Sequence, residues 1–343
     1  MEIMLNGKKI LIIRLSAIGD TIHTLPMVYA LKKQYPECKI GWVVASKAKM
    51  FVEDNPLIDK CFIIDKKQRN FFKIIRQIRD EKYDIALDPQ QLLKSGVILG
   101  LCGAKKKITL SGGREFSWIF ANKIIKAKKK LFDIDYHVVK RNLELCEYLG
   151  CDTDEIKIPT PEIDNESKEY VKSLLPKTDK PLVALAPATT WINKHISNEI
   201  WVEIIKYLED KASILMTGSK KDEKLVTNLI EKTQSKSIIN LTGKTDLLEL
   251  KELYSYCKLV VTPDSGSAHI AWASQNPAII SLFSATSAKR TGPFGDEKYY
   301  SIQSLASCSP CMKKKCSNNK DKEICTHCFS FEEIKKYIDN ILK

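Results

Sequence analysis

Hydrophobic positions along the chain alternate between short continuous runs and longer stretches spaced at three and four residues. The runs are strand-sized, residues 10–13 and 278–283 being the plainest. In the first half the pattern predicts strands over 9–14, 39–45, 61–65, 83–88 and 106–110. Helices are expected over 20–34, 46–53, 69–81 and 92–102, then over 115–126 and 135–149. Residues 152–181 are polar and proline-punctuated and read as a linker. The pattern then restarts, with strands over 182–186, 212–217, 237–240, 258–262 and 278–283. Helices over 197–209, 219–234, 246–256 and 265–275 separate them. The final stretch, FSFEEIKKYIDNILK, is an amphipathic helix with Ile334, Tyr337, Ile338 and Ile341 on one face. Strand–helix alternation implies parallel sheets covered on both faces, with right-handed crossovers. The expected fold is therefore α/β, two Rossmann-like doubly wound units joined by a linker.

Length agrees, since 343 residues exceed one ordinary core. Hydrophobic content of 44% and charged content of 28% are those of a soluble globular protein. No apolar run approaches the roughly 20 residues of a membrane span. The N-terminal MEIMLNGKKILIIR enters a strand almost at once, without a cleavable leader, so a cytoplasmic location is expected. Net charge is +13, with lysines concentrated around 105–107, 126–130 and 313–315. Solvated faces explain such runs, and so does an anionic partner. No nucleic-acid motif accompanies the charge, so nucleic acid ranks last.

Ligands of open α/β sheets bind beyond the carboxyl ends of the strands. In VVTPDSGSAHIAWA, residues 260–273, a strand ends and a helix begins at Asp264, Ser265, Gly266 and Ser267. Free N–H groups there favour an anion such as a diphosphate, with His269 in the first turn. Simple capping by Asp264 or Ser265 explains the same residues. In APATTWINKHISNEIW, residues 186–201, Thr189 and Thr190 offer hydroxyls and Lys194 a point charge for phosphate. TGSKKDE, residues 217–223, brings Asp222 or Glu223, either a ribose ligand or a helix-start carboxylate. Three strand ends together favour a nucleotide site.

The first half offers Asp88 and Lys94 in YDIALDPQQLLKSG, Arg114 in GGREF, and His137 and Arg141 in DYHVVKR. Lys66, Lys67, Arg69, Lys73 and Arg76 form a basic patch near another strand end. The opening ILIIRLSAIGDTIHTLPMVYAL has one glycine, Gly19, before Asp20. Neither half carries G-x-G-x-x-G after its first strand, which argues against a dehydrogenase.

RLSAIGDTIHTLP, DPQQLLKS, ATTWINKHIS, GSKKDE, TPDSGSAHIA and SATSAKRTGPFG come in one order. In that order they resemble the bacterial ADP-heptose:lipopolysaccharide heptosyltransferases, the ATT…KH segment being most similar to heptosyltransferase I. The resemblance implies a GT-B fold, two Rossmann-like domains facing across a cleft. The implied domains are an acceptor domain over 1–160, a donor domain over 161–328 and a helix over 329–343 packing back towards the first domain. It implies inverting transfer of a heptose from an ADP-sugar to the Kdo of lipid A, at the inner face of the inner membrane. Asp20 falls on the position of the catalytic base. Thr189, Thr190, Lys194, Asp222, Asp264, Ser265, Gly266, Ser267 and His269 fall on donor positions. Lys94, Arg114, His137 and Arg141 fall near acceptor positions, and Arg69 joins them from the basic patch. The family often has Glu at Asp222 and Thr at Ser265, and DPQQL replaces a more usual glycine-containing D-x-Q-G-L.

An inverting transfer needs one base, and Lys194 with a helix N-terminus can neutralise the leaving diphosphate, so no cofactor is expected for the chemistry. Cys308, Cys311, Cys316, Cys325 and Cys328 crowd the C-terminal region with zinc-knuckle-like spacing. A structural zinc competes there with reduced thiols. Heptosyltransferase II or a transferase of another sugar nucleotide, a GT-B sugar-nucleotide epimerase, and a non-enzymatic nucleotide-binding protein are the competing readings.

Overall fold

The computed structural model describes residues 5–65, 67 and 69–343. The chain divides into two compact units that meet in sequence at Glu162 and Ile163. The first unit holds β1 (Lys9–Ile13), α1 (Ile18–Ile22), α2 (Leu25–Gln34), β2 (Lys39–Ala45), β3 (Lys60–Ile64), α3 (Phe71–Asp80), β4 (Ile85–Asp88), α4 (Leu93–Leu101), β5 (Lys106–Leu110), β6 (Lys123–Ile125) and α5 (Val138–Tyr148). The second holds α6 (Asn165–Ser173), β7 (Leu182–Leu185), α7 (Asn198–Leu208), β8 (Ser213–Met216), α8 (Glu223–Thr233), β9 (Ile238–Asn240), α9 (Leu247–Ser255), β10 (Leu259–Pro263), α10 (Gly266–Ser274), β11 (Ala278–Phe283), α11 (Ala288–Thr291), β12 (Tyr299–Gln303) and α12 (Phe331–Leu342).

Each unit is one parallel six-stranded sheet, ordered β3-β2-β1-β4-β5-β6 in the first and β12-β11-β10-β7-β8-β9 in the second. Both orders start in the middle and set the unit's first strand beside its fourth. Ile10 pairs with Ile85 in one sheet, and Ala184 with Val260 in the other. Chain order reverses at these junctions, the place where open α/β sheets bind their ligands. The central strands are buried on both faces, as an all-parallel sheet requires, so they are rich in Ile, Val and Leu without polar alternation. Outer helices read at helical spacing. In α3, Ile74, Ile75 and Ile78 are buried while Lys73, Arg76 and Arg79 are exposed. Burying each isoleucine contributes about 2 kcal/mol.

The structure departs from the expected pattern at several places. The helix expected over 20–34 is two helices, broken at His23 and Thr24. Thr21 and Thr24 hydroxyls donate to the carbonyls of Ala17 and Asp20 at 3.0 and 2.8 Å, and Pro26 opens α2. Residues 46–51 form a tight 3-10 turn instead of an α-helix. Residues 115–126 are not a helix but a 3-10 turn at 117–120 followed by the edge strand β6. The linker contains α6, capped by Asp164 and burying only Val171. β12 was not anticipated either. Among the described residues no helix is long and apolar enough to cross a membrane.

The C-terminal helix, expected to pack towards the first domain, belongs to the second unit. Ile334 and Ile338 are buried in its core with Trp201, Ile204 and Leu208 of α7. The Tyr207 hydroxyl donates to Asp339 at 2.6 Å. The narrow apolar stripe of α12 is matched by α7, which explains the placement.

Candidate active site

The second unit gathers most of its candidates at four adjacent strand ends. β11, β10, β7 and β8 are consecutive neighbours in the sheet, so the loops after them share one edge. Asp264 closes β10 and is almost fully buried. Its Oδ2 accepts from Lys194 Nζ at 2.5 Å and from the Thr286 hydroxyl at 2.5 Å, and Thr189 Oγ1 donates to its carbonyl at 3.4 Å. Side chains from two other loops therefore converge on one carboxylate, and a third side chain holds its backbone. His269 Nε2 lies 3.9 Å from Asp264 Oδ1. Lys194 also sits over the Trp191 ring, 4.6 Å from its centroid. A buried carboxylate held by a lysine and a hydroxyl fixes that lysine in place, and the net charge of the group is left near zero.

Ser265 caps α10, its Oγ accepting from the Ser267 N–H at 3.2 Å. Gly266 follows as the first helical residue, exposed. A Cβ built there would meet nothing within 4 Å, so no protein atom requires glycine. The residue opens the first turn of α10, and the N-terminus of a helix suits an anion. We expect Gly266→Ala to leave stability unchanged or raise it by about 0.5 kcal/mol, since alanine is the better helix former. Donor affinity should nevertheless fall, and thermal melts beside calorimetric titration with ADP check both halves of this prediction.

Thr190 is exposed in the same loop as Lys194. Asp222 lies after β8, and its Oδ2 accepts from the Ser219 N–H and hydroxyl at 2.8 and 2.7 Å. That carboxylate oxygen caps its own turn, while Glu223 is exposed beside it.

A strap of chain buttresses the Lys194 loop from outside. The Ser197 N–H donates to Thr326 O at 3.0 Å, the Asn193 amide to Lys313 O, and the Met312 N–H to Ala285 O at 2.7 Å. Lys314 stacks over Trp191 at 5.4 Å. Cys308, Cys311, Cys316, Cys325 and Cys328 lie in this strap as free thiols. Burial pushes the Cys325 thiol up to about 11, and the neighbouring Cys308, Cys311 and Cys316 add to it. Among the described residues no three His, Cys, Asp or Glu side chains are gathered as a metal would need.

In the first unit, Asp20 lies in α1, just beyond β1 at the β1–β4 junction. One carboxylate oxygen accepts from the Ala17 N–H at 3.1 Å, and the other pairs with Arg14 Nη2 at 2.8 Å. The side chain keeps 44% exposure, so the carboxylate is oriented yet reachable. Arg14 is itself buried and donates to Pro89 O at 3.2 Å. Leu15 N–H donates to Gln90 Oε1 at 2.7 Å, and Trp42 Nε1 donates to Arg14 O at 3.1 Å. The loop that presents Asp20 is thus pinned from β2 and β4.

Asp88 ends β4 fully buried, its Oδ1 accepting from the Gln90 and Gln91 N–H groups at 3.0 Å each. Burial pushes its carboxyl up to about 6, against the opposing pull of those N–H groups and Arg14. A carboxyl with a raised folded value takes up a proton more readily folded than unfolded. Its contribution therefore favours the fold at low pH and is lost as pH rises from about 4 to about 6. Asp88→Asn removes this slope. Its unfolding free energy relative to the parent should rise by about 2–3 kcal/mol between pH 4 and pH 7, measured by urea titration.

Gln91 occupies the position where the motif more usually has glycine. Its φ is 58°, the left-handed region that favours glycine, which explains the usual residue. Here the side chain earns a place by bonding. Nε2 donates to Leu110 O at 2.5 Å, and Oε1 accepts from Arg141 Nη2 at 3.0 Å. Arg141 also donates to Ser111 O and Lys129 O. This candidate acceptor residue is buried and committed to the fold. His137 is buried too, its Nδ1 accepting from the Val139 N–H at 3.2 Å as the cap of α5, with its ring 5.8 Å from that of His23. Lys94, Arg114 and Arg69 are exposed. The Arg114 N–H donates to Gln91 O at 3.0 Å, and the Leu93 N–H donates to Glu115 at 3.1 Å, so Lys94 and Arg114 are neighbours of the Gln91 turn. Arg69 stands apart after β3, near Asp65. Lys66 of the basic patch lies outside the described residues.

Residues 71–322 match the model of glycosyltransferase family 9 (heptosyltransferase). The chain belongs to this glycosyltransferase family. Among curated members it is 26% identical to the lipopolysaccharide core heptosyltransferase OpsX of Haemophilus influenzae, over 84% of this chain and 82% of that protein. It is 27% identical to lipopolysaccharide heptosyltransferase 3 of Escherichia coli, over 78% and 81%. Its fold matches a family 9 glycosyl transferase from Veillonella parvula with a TM-score of 0.81, at 22% identity over 99% and 98% of the two chains. It also matches E. coli heptosyltransferase WaaC, solved with ADP, with a TM-score of 0.73 at 20% identity over 97% and 99%. Both matches carry the GT-B fold. As a family 9 enzyme it is a glycosyltransferase, which sets aside the epimerase and the non-enzymatic reading.

Sequence reasoning passed over three residues that the structure joins to the candidates. Arg14 stands inside the quoted RLSAIGD, and a buried arginine six residues before a loop carboxylate was the available signal. Thr286, in SATSAKRTGPFG, completes the Asp264 group. Gln303 donates to the carbonyls of Phe283, Ser284 and Thr286 and so holds the Thr286 loop. A lone glutamine in an unforeseen edge strand gives no sequence signal.

Proposed function

We propose that this enzyme transfers a heptose from ADP-heptose to a Kdo sugar of the lipopolysaccharide inner core, with inversion at the anomeric carbon. The observation that carries the donor side is the open helix start at Gly266 beside the fixed ammonium of Lys194. WaaC, a relative in fold, has been solved with ADP, which supports an adenosine diphosphate there. In the reaction the acceptor oxygen bonds to the anomeric carbon as the carbon–phosphate oxygen bond breaks. Its electron pair leaves on ADP, where Lys194 and the α10 N-terminus meet the new charge. Asp20 takes the acceptor hydroxyl proton, oriented by Arg14 and the Ala17 N–H. Asp264 positions Lys194.

Incubation with ADP-heptose and Kdo-lipid A, followed by mass analysis of the lipid, tests the reading. A gain of one heptose is expected. A lipid that gains heptose only when it already carries one would assign the enzyme to the heptosyltransferase II type. Transfer from another sugar nucleotide alone would overturn the donor assignment.

A further inference from the structure

The strap that braces the Lys194 loop carries a run of lysines, Lys313, Lys314 and Lys315, all exposed. Their surroundings differ. Lys313 Nζ donates to the Ser317 hydroxyl at 2.9 Å and closes the strap's own turn. Lys315 has no side-chain partner among the described residues. Lys314 turns back onto the donor edge. Its ammonium lies over the Trp191 ring, 5.4 Å from the centroid, and Lys194 lies over the same ring at 4.6 Å. The two ammonium groups are therefore no more than about 10 Å apart, within a screening length at ordinary salt.

The backbone beside Lys314 is tied to the two loops that hold Asp264. The Met312 N–H donates to Ala285 O at 2.7 Å, next to Thr286, and the Asn193 amide donates to Lys313 O, next to Lys194. The Ser284 hydroxyl donates to Asn193 O at 2.7 Å and joins those loops to each other. Gln303 Nε2 donates to Ser309 Oγ at 2.7 Å and anchors the start of the strap. An exposed cation–π contact returns less than the rotamer freedom a lysine loses on being ordered. The ring alone does not account for two like charges placed on it.

The balance of charge supplies a reason. The Lys194 ammonium faces the Asp264 carboxylate at 2.5 Å, so that pair adds little net charge. A diphosphate carries more than one negative charge at neutral pH, and a helix N-terminus offers only a partial positive one. Lys314 has no carboxylate partner among the described residues, which leaves its full charge for a ligand. We infer that Lys314 is a further donor-binding residue, which forms with Lys194 a two-lysine clamp on Trp191 that meets the diphosphate. The inference rests on the reading of Gly266 and Lys194 as the seat of an ADP-sugar, and it adds a cation from outside the motifs.

Binding to the full chain is measured by calorimetric titration, with ADP directly and with adenosine by displacement of ADP. Lys314→Ala should weaken ADP about tenfold at about 50 mM salt, and the gap should close to about twofold at about 0.5 M. Affinity for adenosine, which has no phosphate, should not move. Lys314→Arg keeps a charge that stacks on an indole and should stay within about twofold of the parent. Lys315→Ala removes a neighbouring charge of the same run and should also stay within about twofold. All three variants should melt with the parent, because the substituted side chains are exposed. A parent that does not bind ADP overturns the donor reading and this inference together. With ADP bound by the parent, the inference alone falls on any of four results: Lys314→Ala binds like the parent, Lys315→Ala loses as much, adenosine weakens equally, or Lys314→Arg fails to restore affinity. A loss accompanied by a lowered melting temperature also overturns it, by assigning Lys314 to bracing the strap.

Discussion

Asp20→Asn should fold like the parent and bind ADP within about twofold, yet turn over roughly a thousandfold more slowly, within the range a positioned base supplies. Asparagine keeps an oxygen for the Ala17 N–H, so the loop retains its local bond. What disappears is the anion that takes the proton. Arg14 loses a partner but keeps Pro89 O, and the Asp20 side of the pair is half exposed, so stability should change by less than about 1 kcal/mol. Single-turnover rates at saturating donor isolate the chemical step from binding. A rate within tenfold of the parent would remove Asp20 from the role of base.

Lys194→Met should act twice. It removes the charge proposed to meet the departing diphosphate, which should lower kcat/KM by about 10²–10³. It also leaves Asp264 buried with the Thr286 hydroxyl and, at 3.9 Å, His269 for support, which should cost about 3 kcal/mol of stability. Adding Asp264→Asn separates the two effects. The double variant no longer buries an unbalanced carboxylate, so stability should return while turnover does not. Recovery of turnover in the double variant would show that Lys194 is there only to neutralise Asp264.

Much of this was legible beforehand where chemistry and pattern coincided. Central strands such as β1 and β10 are apolar on both faces, and their ends carry Asp20 and Asp264, so strand and site were read together. Legibility failed at the edges. β6 is a three-residue strand, and Phe116, Ile119, Phe120 and Ile124 mimic helical spacing because three of them face solvent and Phe120 packs on α4, so no core imposed a period of two. α6 buries Val171 alone and shows no stripe. The engagement of the acceptor candidates was illegible for another reason. Arg141 and His137 are the right residue types for an anionic acceptor, but Gln91 and the α5 cap consume them, and such competition is visible only in three dimensions. The family match placed both near an acceptor; the hydrogen bonds place them inside the fold.

The strap over the Lys194 loop has a consequence for the order in which this polypeptide is made. The bond from Leu15 to Gln90 that pins the Asp20 loop spans 75 positions, all within the first unit. The bond from Asn193 to Lys313 spans 120. At a ribosome adding about 5–20 residues per second, on the order of ten seconds pass before Asn193 can find its carbonyl. Ser197 waits longer, for Thr326. A nascent chain therefore carries its carboxylate loop well before the lysine loop is braced, and a chain cut before residue 312 never braces it.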